Sequence, residues 1–312
     1  MTTKRVIITG PTAVGKTTVS LLVAEELNTS IISTDSRQSY KYLNIGTSKP
    51  RAHQLCRVPH YNISVIDPKE SDNVNHFLQR VDHWEKNELK NNSPAVYCGG
   101  STLYVQSLFH PLDPLPPSNP EQIRKLNREA DSMGLGYLFD TLSQVDPDYA
   151  RQMDGHNRQR IIRALEVYYQ TGKPFSSFHS GQGSPAPDQD TIVFVLNRDR
   201  AGLHRRIQRR TQQMIKRGLL KEVSSLLSLG YHSSDPGLNS VGYKEPLAYF
   251  DNELSKEQMI QLINRNTRRY AKRQITWFRR WKNVSWLDVS NMQPEETAKQ
   301  ICNRLAAYGH IP

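Results

Sequence analysis

The chain has 312 residues, enough for one large α/β domain or for a core domain carrying an insertion. Its 41 Lys and Arg against 30 Asp and Glu give a net charge of +11, which suits a polyanionic partner but says nothing of mechanism. The three widely spaced cysteines, Cys56, Cys98 and Cys302, carry neither a disulfide framework nor a zinc cluster. The apolar run Val6-Ile7-Ile8 after Met1-Thr2-Thr3-Lys4-Arg5 is too short for a signal-peptide core or a membrane span, so a cytoplasmic protein without a membrane partner is expected.

A β-branched strand over 6–9 ends at a glycine loop, and a helix is expected over 17–27 with Leu21, Leu22, Ala24 and Leu27 on its apolar face. A second strand over 31–34 ends at Asp35-Ser36 and should lie beside the first. Phe77, Val81 and Trp84 mark a helix over 75–90, and a third strand over 94–98 ends at Gly99-Gly100-Ser101. Alternating strands and helices mean a parallel sheet, whose chemistry gathers at the carboxyl ends of its strands. Proline-rich residues 112–117 then leave the sheet. Residues 120–171 are helical throughout, with Pro147 at a helix start after Asp146, and Gly172 at a helix stop. A Ser/Gly/Pro-rich linker over 176–190 leads to a strand over 191–196. The predicted fold is thus a P-loop NTPase-like parallel sheet core, 1–115 with 190–312, carrying an inserted all-helical domain over 116–189. A basic helical stretch over 203–229 breaks near Gly218. A capping box at Ser255 opens a helix to about Trp281, and a last strand covers 284–287.

The loop Gly10-Pro11-Thr12-Ala13-Val14-Gly15-Lys16-Thr17 fits the P-loop pattern between a strand and a helix. Its glycines let backbone N–H groups close around phosphate oxygens, and the helix N-terminus adds its dipole. Lys16 offers positive charge and Thr17 a hydroxyl for Mg²⁺. The pattern specifies phosphate binding, not phosphoryl transfer. Asp35 suits two roles, a Mg²⁺ ligand or a general base. Ser36, Arg37, Gln38, Ser39 and Tyr40 mix amide, guanidinium and ring, which favours a planar acceptor over a metal. Two helical stretches are strongly basic. One carries Arg205, Arg206, Arg209, Arg210, Lys216 and Arg217, the other Arg265, Arg268, Arg269, Lys272 and Arg273; a phosphate backbone is their natural counterpart. Arg151, Arg158, Arg160 and Arg163 repeat the theme in the insertion.

These motifs, in this order, resemble the tRNA dimethylallyltransferase family, also called tRNA isopentenyltransferases. The likeness rests on the loop at 10–17, on Asp35-Ser36-Arg37-Gln38-Ser39-Tyr40, and on Ile45-Gly46-Thr47-Ser48-Lys49-Pro50. It continues through Gly99-Gly100-Ser101-Thr102-Leu103-Tyr104, Gln159-Arg160-Ile161-Ile162-Arg163, Val241-Gly242-Tyr243 and Lys272-Arg273-Gln274 with Trp277. The resemblance implies transfer of a dimethylallyl group from its diphosphate to N6 of adenosine 37 in tRNA, releasing diphosphate without consuming ATP. It implies Asp35 as base, with Lys16, Ser101 and Arg210 completing the catalytic set. Arg210 is placed by the pattern Arg206-Ile207…Met214. Residues Gly10, Pro11, Thr12, Ala13, Val14, Gly15, Lys16 and Thr17 would hold the diphosphate, with Mg²⁺ on Thr17. Contacts with the anticodon stem-loop of tRNA are implied for Asp35, Ser36, Arg37, Gln38, Ser101, Arg124, Gln159, Arg160, Ile161, Ile162 and Arg163. A monomer is expected. Ser101 stands where the family has threonine, which keeps the hydroxyl and loses a methyl. The end at Pro312, without the zinc-finger extension of eukaryotic relatives, points to the bacterial form. The rival readings are a small-molecule or nucleotide kinase, which shares the P-loop, and a non-catalytic RNA-binding protein, which the intact Lys16-Thr17 pair disfavours.

Overall fold

Six short strands, all parallel, form one sheet in the order β3-β2-β4-β1-β5-β6: β1 Arg5–Thr9, β2 Ile31–Ser33, β3 His60–Tyr61, β4 Ala95–Cys98, β5 Thr191–Asn197 and β6 Ser285–Asp288. The computed structural model describes residues 5–89, 94–179 and 183–307. The chain divides into two compact units, Met1–His110 with Ser184–Pro312, and Pro111–Gly183. Those divisions fall a few residues before the expected boundaries at 116 and 190.

Each parallel strand needs a crossover, and the crossovers cover both sheet faces. Helix α1, Lys16–Glu26, supplies Val19, Leu21, Val23 and Ala24 to one face. There they meet Val6, Ile8, Val96, Phe194 and Leu196, together with Ile301 and Leu305 from the C-terminal helix Pro294–Ala307. The intervening residues Ile7, Tyr97, Val193 and Val195 point to the other face, against Phe77 and Val81 of the helix Val74–Asn87 and Tyr104 and Val105 of the helix Thr102–Ser107. This period-two division is the pleat of a strand buried on both sides. Lys90, where the expected helix ended, lies outside the described residues. The strand His60–Tyr61 and the helices Thr102–Ser107 and Pro294–Ala307 were not anticipated as separate elements.

A third apolar cluster lies beside the sheet's carboxyl edge. The basic stretch forms helices Arg200–Lys216 and Leu219–Ser228, broken at Gly218 with φ 93°. Met214, Leu219, Val223 and Leu226 pack with Tyr40, Leu43, Tyr243, Leu247 and Ile263. The long helix Lys256–Phe278 opens with the expected capping box at Ser255 and ends before Trp281.

The second unit, by itself, is helical among its described residues: Pro120–Met133, Leu135–Val145, Pro147–Ala150, Arg158–Thr171 and a 3₁₀ turn Phe175–Phe178. Leu126, Leu138, Leu142, Ile161, Leu165 and Val167 form its core. Asn119, Asp146 and Asn157 cap three helices through their side chains, and Gly172 stops the helix that Asn157 opens, in the left-handed region at φ 68°. Residues 180–182 of the second expected linker lie outside the described residues.

Candidate active site

Strand β1 runs directly into the glycine loop, where Gly10, Ala13 and Gly15 all take positive φ. The loop then enters α1 at Gly15, so the helix N-terminus faces the space an anion would fill. Lys16 Nζ donates to the carbonyls of Gly10 and Pro11, each at 2.9 Å. Burial lowers the Lys16 pKa to about 8, opposed by nearby Asp35. Arg206 Nε donates to the Ala13 carbonyl at 2.7 Å, and Arg210 Nη1 donates to Thr12 Oγ1 at 3.2 Å. Burial lowers the Arg210 pKa, and Asp35 again opposes the shift. Arg210 Nη2 reaches the Thr47 carbonyl at 3.4 Å.

The sheet order corrects one expectation. Strand β2, which delivers Asp35, does not lie beside β1, because β4 pairs with both and separates them. The strand next to the P-loop strand therefore ends in Gly99-Gly100-Ser101 rather than in a carboxylate, and Asp35 reaches the site across β4. Gly99 permits this approach: a Cβ there would lie 2.4 Å from the Thr34 carbonyl carbon and 2.6 Å from the Asp35 nitrogen. Asp35 Oδ1 accepts the Arg37 N–H at 2.9 Å, which orients the carboxylate. Ser101 Oγ accepts the Ser36 N–H at 2.9 Å and donates to Ser36 Oγ at 3.0 Å. Its hydroxyl thus fastens the Asp35 turn to the glycine turn.

Gln274, which stands in the Lys272-Arg273-Gln274 motif, plays a part that the motif does not disclose. Its side chain, 2% exposed, accepts the Thr12 N–H at 2.8 Å and donates to the Gly100 carbonyl at 2.7 Å. It joins the ends of β1 and β4 from the long helix Lys256–Phe278.

Two cavities open here. One, about 440 Å³, is lined by Lys16, Thr17, Arg51, Arg206, Arg209 and Arg217 with the glycine loop. The other, about 340 Å³, is lined by Ile207, Met214, Val241 and Ile263 with Ser36, Arg37 and Asn239. Thr12, Asp35, Thr47, Arg210 and Tyr270 line both and form the seam between them. Tyr270 and Asn239 carry no site signal in the sequence, and Thr47 and Val241 stand in motifs that assign them no role, because only the fold brings residues 47, 239–241 and 270 to Asp35. Burial raises the Tyr270 pKa, so its phenol stays protonated at neutral pH.

Several expected binding residues are committed elsewhere. Gln38 accepts from Ser33 Oγ and donates to the Thr47 and Ser48 carbonyls, so it braces the loop that follows. Ser39 and Tyr40 are buried, at 0% and 2% exposure, and belong to the packing rather than to a binding surface. In the helical unit, Arg124, Gln159 and Arg160 are exposed. Ile161 and Ile162 are not available to RNA, because the amphipathic helix turns them into the unit's core. Arg163 is turned inward too, donating to the buried Glu166 at 2.8 Å and to the Pro116 carbonyl at 2.6 Å. Arg158 is held by Asn127 and Asp131, and Arg151 by Asp148. Arg163 and Arg158 thus tie parts of the helical unit together, whereas the Arg151–Asp148 pair is exposed.

The Thr17 hydroxyl, which the sequence suggested for Mg²⁺, lies on the residue after Lys16 and lines the basic cavity. Among the described residues no cluster of three His, Cys, Asp or Glu side chains is built to hold a metal. Mg²⁺ needs no such cluster, since it is commonly held by one or two protein oxygens, phosphate oxygens and water, and this donor set fits it. No helix among the described residues is long and apolar enough to cross a membrane.

The family model "IPP transferase" matches residues 38–281, and "Isopentenyl transferase" matches residues 3–62. The chain is 40% identical over 299 residues to the tRNA dimethylallyltransferase of Salinibacter ruber, covering 96% of this chain and 92% of that one. It is likewise 40% identical over 300 residues to that of Thermotoga neapolitana, covering 96% of each. Among solved structures, the full-length tRNA isopentenylpyrophosphate transferase of Bacillus halodurans superposes with a TM-score of 0.71 at 34% identity, over 97% of this chain and 96% of that one. A eukaryotic dimethylallyltransferase acting on tRNA gives 0.81 at 25% identity, over 100% of this chain and 81% of that one. With a family model spanning most of the chain and relatives of 40% identity along nearly all of it, the chain belongs to the tRNA dimethylallyltransferase, or IPP transferase, family.

Proposed function

We propose that the protein transfers the dimethylallyl group of dimethylallyl diphosphate to N6 of adenosine 37 in tRNA, releasing diphosphate. The observation that carries this reading is the seam. A strongly basic cavity around a P-loop meets a less polar one along Thr12, Asp35, Thr47, Arg210 and Tyr270. The diphosphate fits the basic side, on the loop amides, Lys16 and Thr17. The flipped adenine fits the other side, so the reacting atoms meet at the seam.

In the step itself, the N6 lone pair forms a bond to C1 of the dimethylallyl group. The C1–O bond breaks and its electron pair leaves with diphosphate. Asp35 takes the N6 proton, and its fixed Oδ1 holds the carboxylate in place for that task. Charge developing on the departing diphosphate is met by Lys16, the loop amides and the Arg210 guanidinium. Mg²⁺ on Thr17, when bound, would add a Lewis acid at the leaving group. The exposed arginines and lysine of the long helix Lys256–Phe278, Arg265, Arg269, Lys272 and Arg273, suit the RNA backbone, as do Arg124, Gln159 and Arg160.

The test is to incubate the protein with unmodified tRNA, labelled dimethylallyl diphosphate and ATP. Label should reach the RNA with ATP untouched. ATP hydrolysis or phosphoryl transfer without prenylated RNA would favour the kinase alternative instead.

A further inference from the structure

A carboxylate outside the site grips the loop that orients its guanidinium. Glu222, in the second half of the broken basic helix, accepts three successive backbone N–H groups. Its oxygens take Asn44 N at 3.1 Å, Ile45 N at 2.9 and 3.0 Å, and Gly46 N at 3.3 Å. Tyr243, fully buried, donates its hydroxyl to Glu222 Oε1 at 2.7 Å and accepts the Gly46 N–H at 3.2 Å. The Tyr243 ring lies close enough to the loop that a Cβ at Gly46 would sit 2.4 Å from it. A charged acceptor shared by consecutive amides is among the stronger hydrogen-bond arrangements. It fixes the loop's path.

The next residue is Thr47. Its carbonyl accepts from Arg210 Nη2 and from Gln38 Nε2, each at 3.4 Å, and it lines both cavities. Lys49 anchors the far end of the same loop, donating to the Tyr40 carbonyl, to Ser64 Oγ at 2.8 Å and to Asn44 Oδ1 at 3.3 Å.

We propose that Glu222, with Tyr243, is a positioning residue for the transfer reaction: by clamping the 44–46 amides it sets the Thr47 carbonyl, and through it the direction of the Arg210 guanidinium toward the departing diphosphate. This rests on the proposed transferase reading, in which Arg210 acts on the leaving group.

The test is a double-mutant cycle read by single-turnover transfer of labelled dimethylallyl to tRNA. Glu222→Gln keeps the side chain's size but replaces one acceptor with an NH₂ that the loop amides cannot use. It should lower kcat about tenfold, within the range of coupling between residues that share partners, and change the KM for dimethylallyl diphosphate little. In an Arg210→Ala background the same change should cost less than about twofold, since its effect runs through the missing guanidinium. Tyr243→Phe, which removes one anchor of Glu222, should show the same pattern in milder form and serves if Glu222→Gln folds poorly by thermal melting. Equal losses in both backgrounds, or wild-type turnover in Glu222→Gln and Tyr243→Phe, would overturn the proposal. Absence of transfer by the wild-type protein would instead refute the transferase reading itself.

Discussion

Asparagine at position 35 isolates the proton-accepting role of the carboxylate. The substitution keeps Oδ1, which accepts the Arg37 N–H at 2.9 Å, so the turn and the position of the side chain should survive. What it loses is basicity. A positioned general base contributes typically 10²–10⁴-fold, or about 2.7–5.4 kcal/mol of barrier at 1.36 kcal/mol per tenfold. The carboxylate also props up its neighbours, since it opposes the burial that lowers the pKa values of Lys16 and Arg210. In Asp35→Asn the Lys16 value should fall below about 8, so the comparison belongs at about pH 7 or lower, where the ammonium still persists. Single-turnover transfer to an unmodified anticodon stem-loop, alongside filter binding of the same RNA, separates chemistry from binding. We expect kcat and kcat/KM to fall together by at least about 100-fold, with RNA affinity nearly unchanged. Turnover close to wild type would refute the general-base assignment.

Diphosphate binding should depend on pH through Lys16. The anion favours the ammonium, so affinity should weaken above about pH 8, by up to about tenfold per pH unit relative to Lys16→Arg, in titration calorimetry with inorganic diphosphate, whose own titration the two proteins share. Lys16→Arg should remove the inflection. For the ligand-free fold the same lowered value acts in the opposite sense. Stability from this group should rise with pH between about 8 and the ordinary lysine value, because only there does the unfolded chain hold the extra proton. Gln274→Ala leaves the Thr12 N–H and the Gly100 carbonyl without their side-chain partner. At about 1–3 kcal/mol for each group left without its partner, it should destabilise by about 2–6 kcal/mol, read by denaturant unfolding, and raise the KM for dimethylallyl diphosphate. Arg265→Ala and Arg269→Ala, both at exposed positions, should each weaken tRNA binding and flatten its log–log salt dependence by about 0.7–0.9. Transfer measured at saturating RNA should stay near wild type in both.

Much of the site could be read along the chain because its parts are local. A P-loop is eight consecutive residues whose glycines and helix start are specified by their neighbours, and α1 begins at the expected place. The capping box at Ser255 and the helix stop at Gly172 are local in the same way. The pattern of apolar residues marks β1, β4 and β5, since residues 6–8, 96–97 and 193–196 are buried on both faces, whereas the two half-buried residues of β3 carry no such pattern. Helical periodicity could also have warned that Ile161 and Ile162 face a core, because they stand on one apolar stripe with Leu165.

What sequence by itself determined was the chemistry available: a phosphate cradle, an acid after a strand, a glycine turn and basic helices. Strand order was beyond it, because the same strands can pair in several orders with identical local patterns. Tertiary structure placed β4 between β1 and β2 and so brought Asp35 over Gly99 instead of beside the loop. It also brought residues 47, 210, 222, 243 and 274 to one place, through hydrogen bonds between groups far apart in the chain. Such contacts leave no periodic trace, since each depends on where whole elements pack rather than on which residues adjoin it.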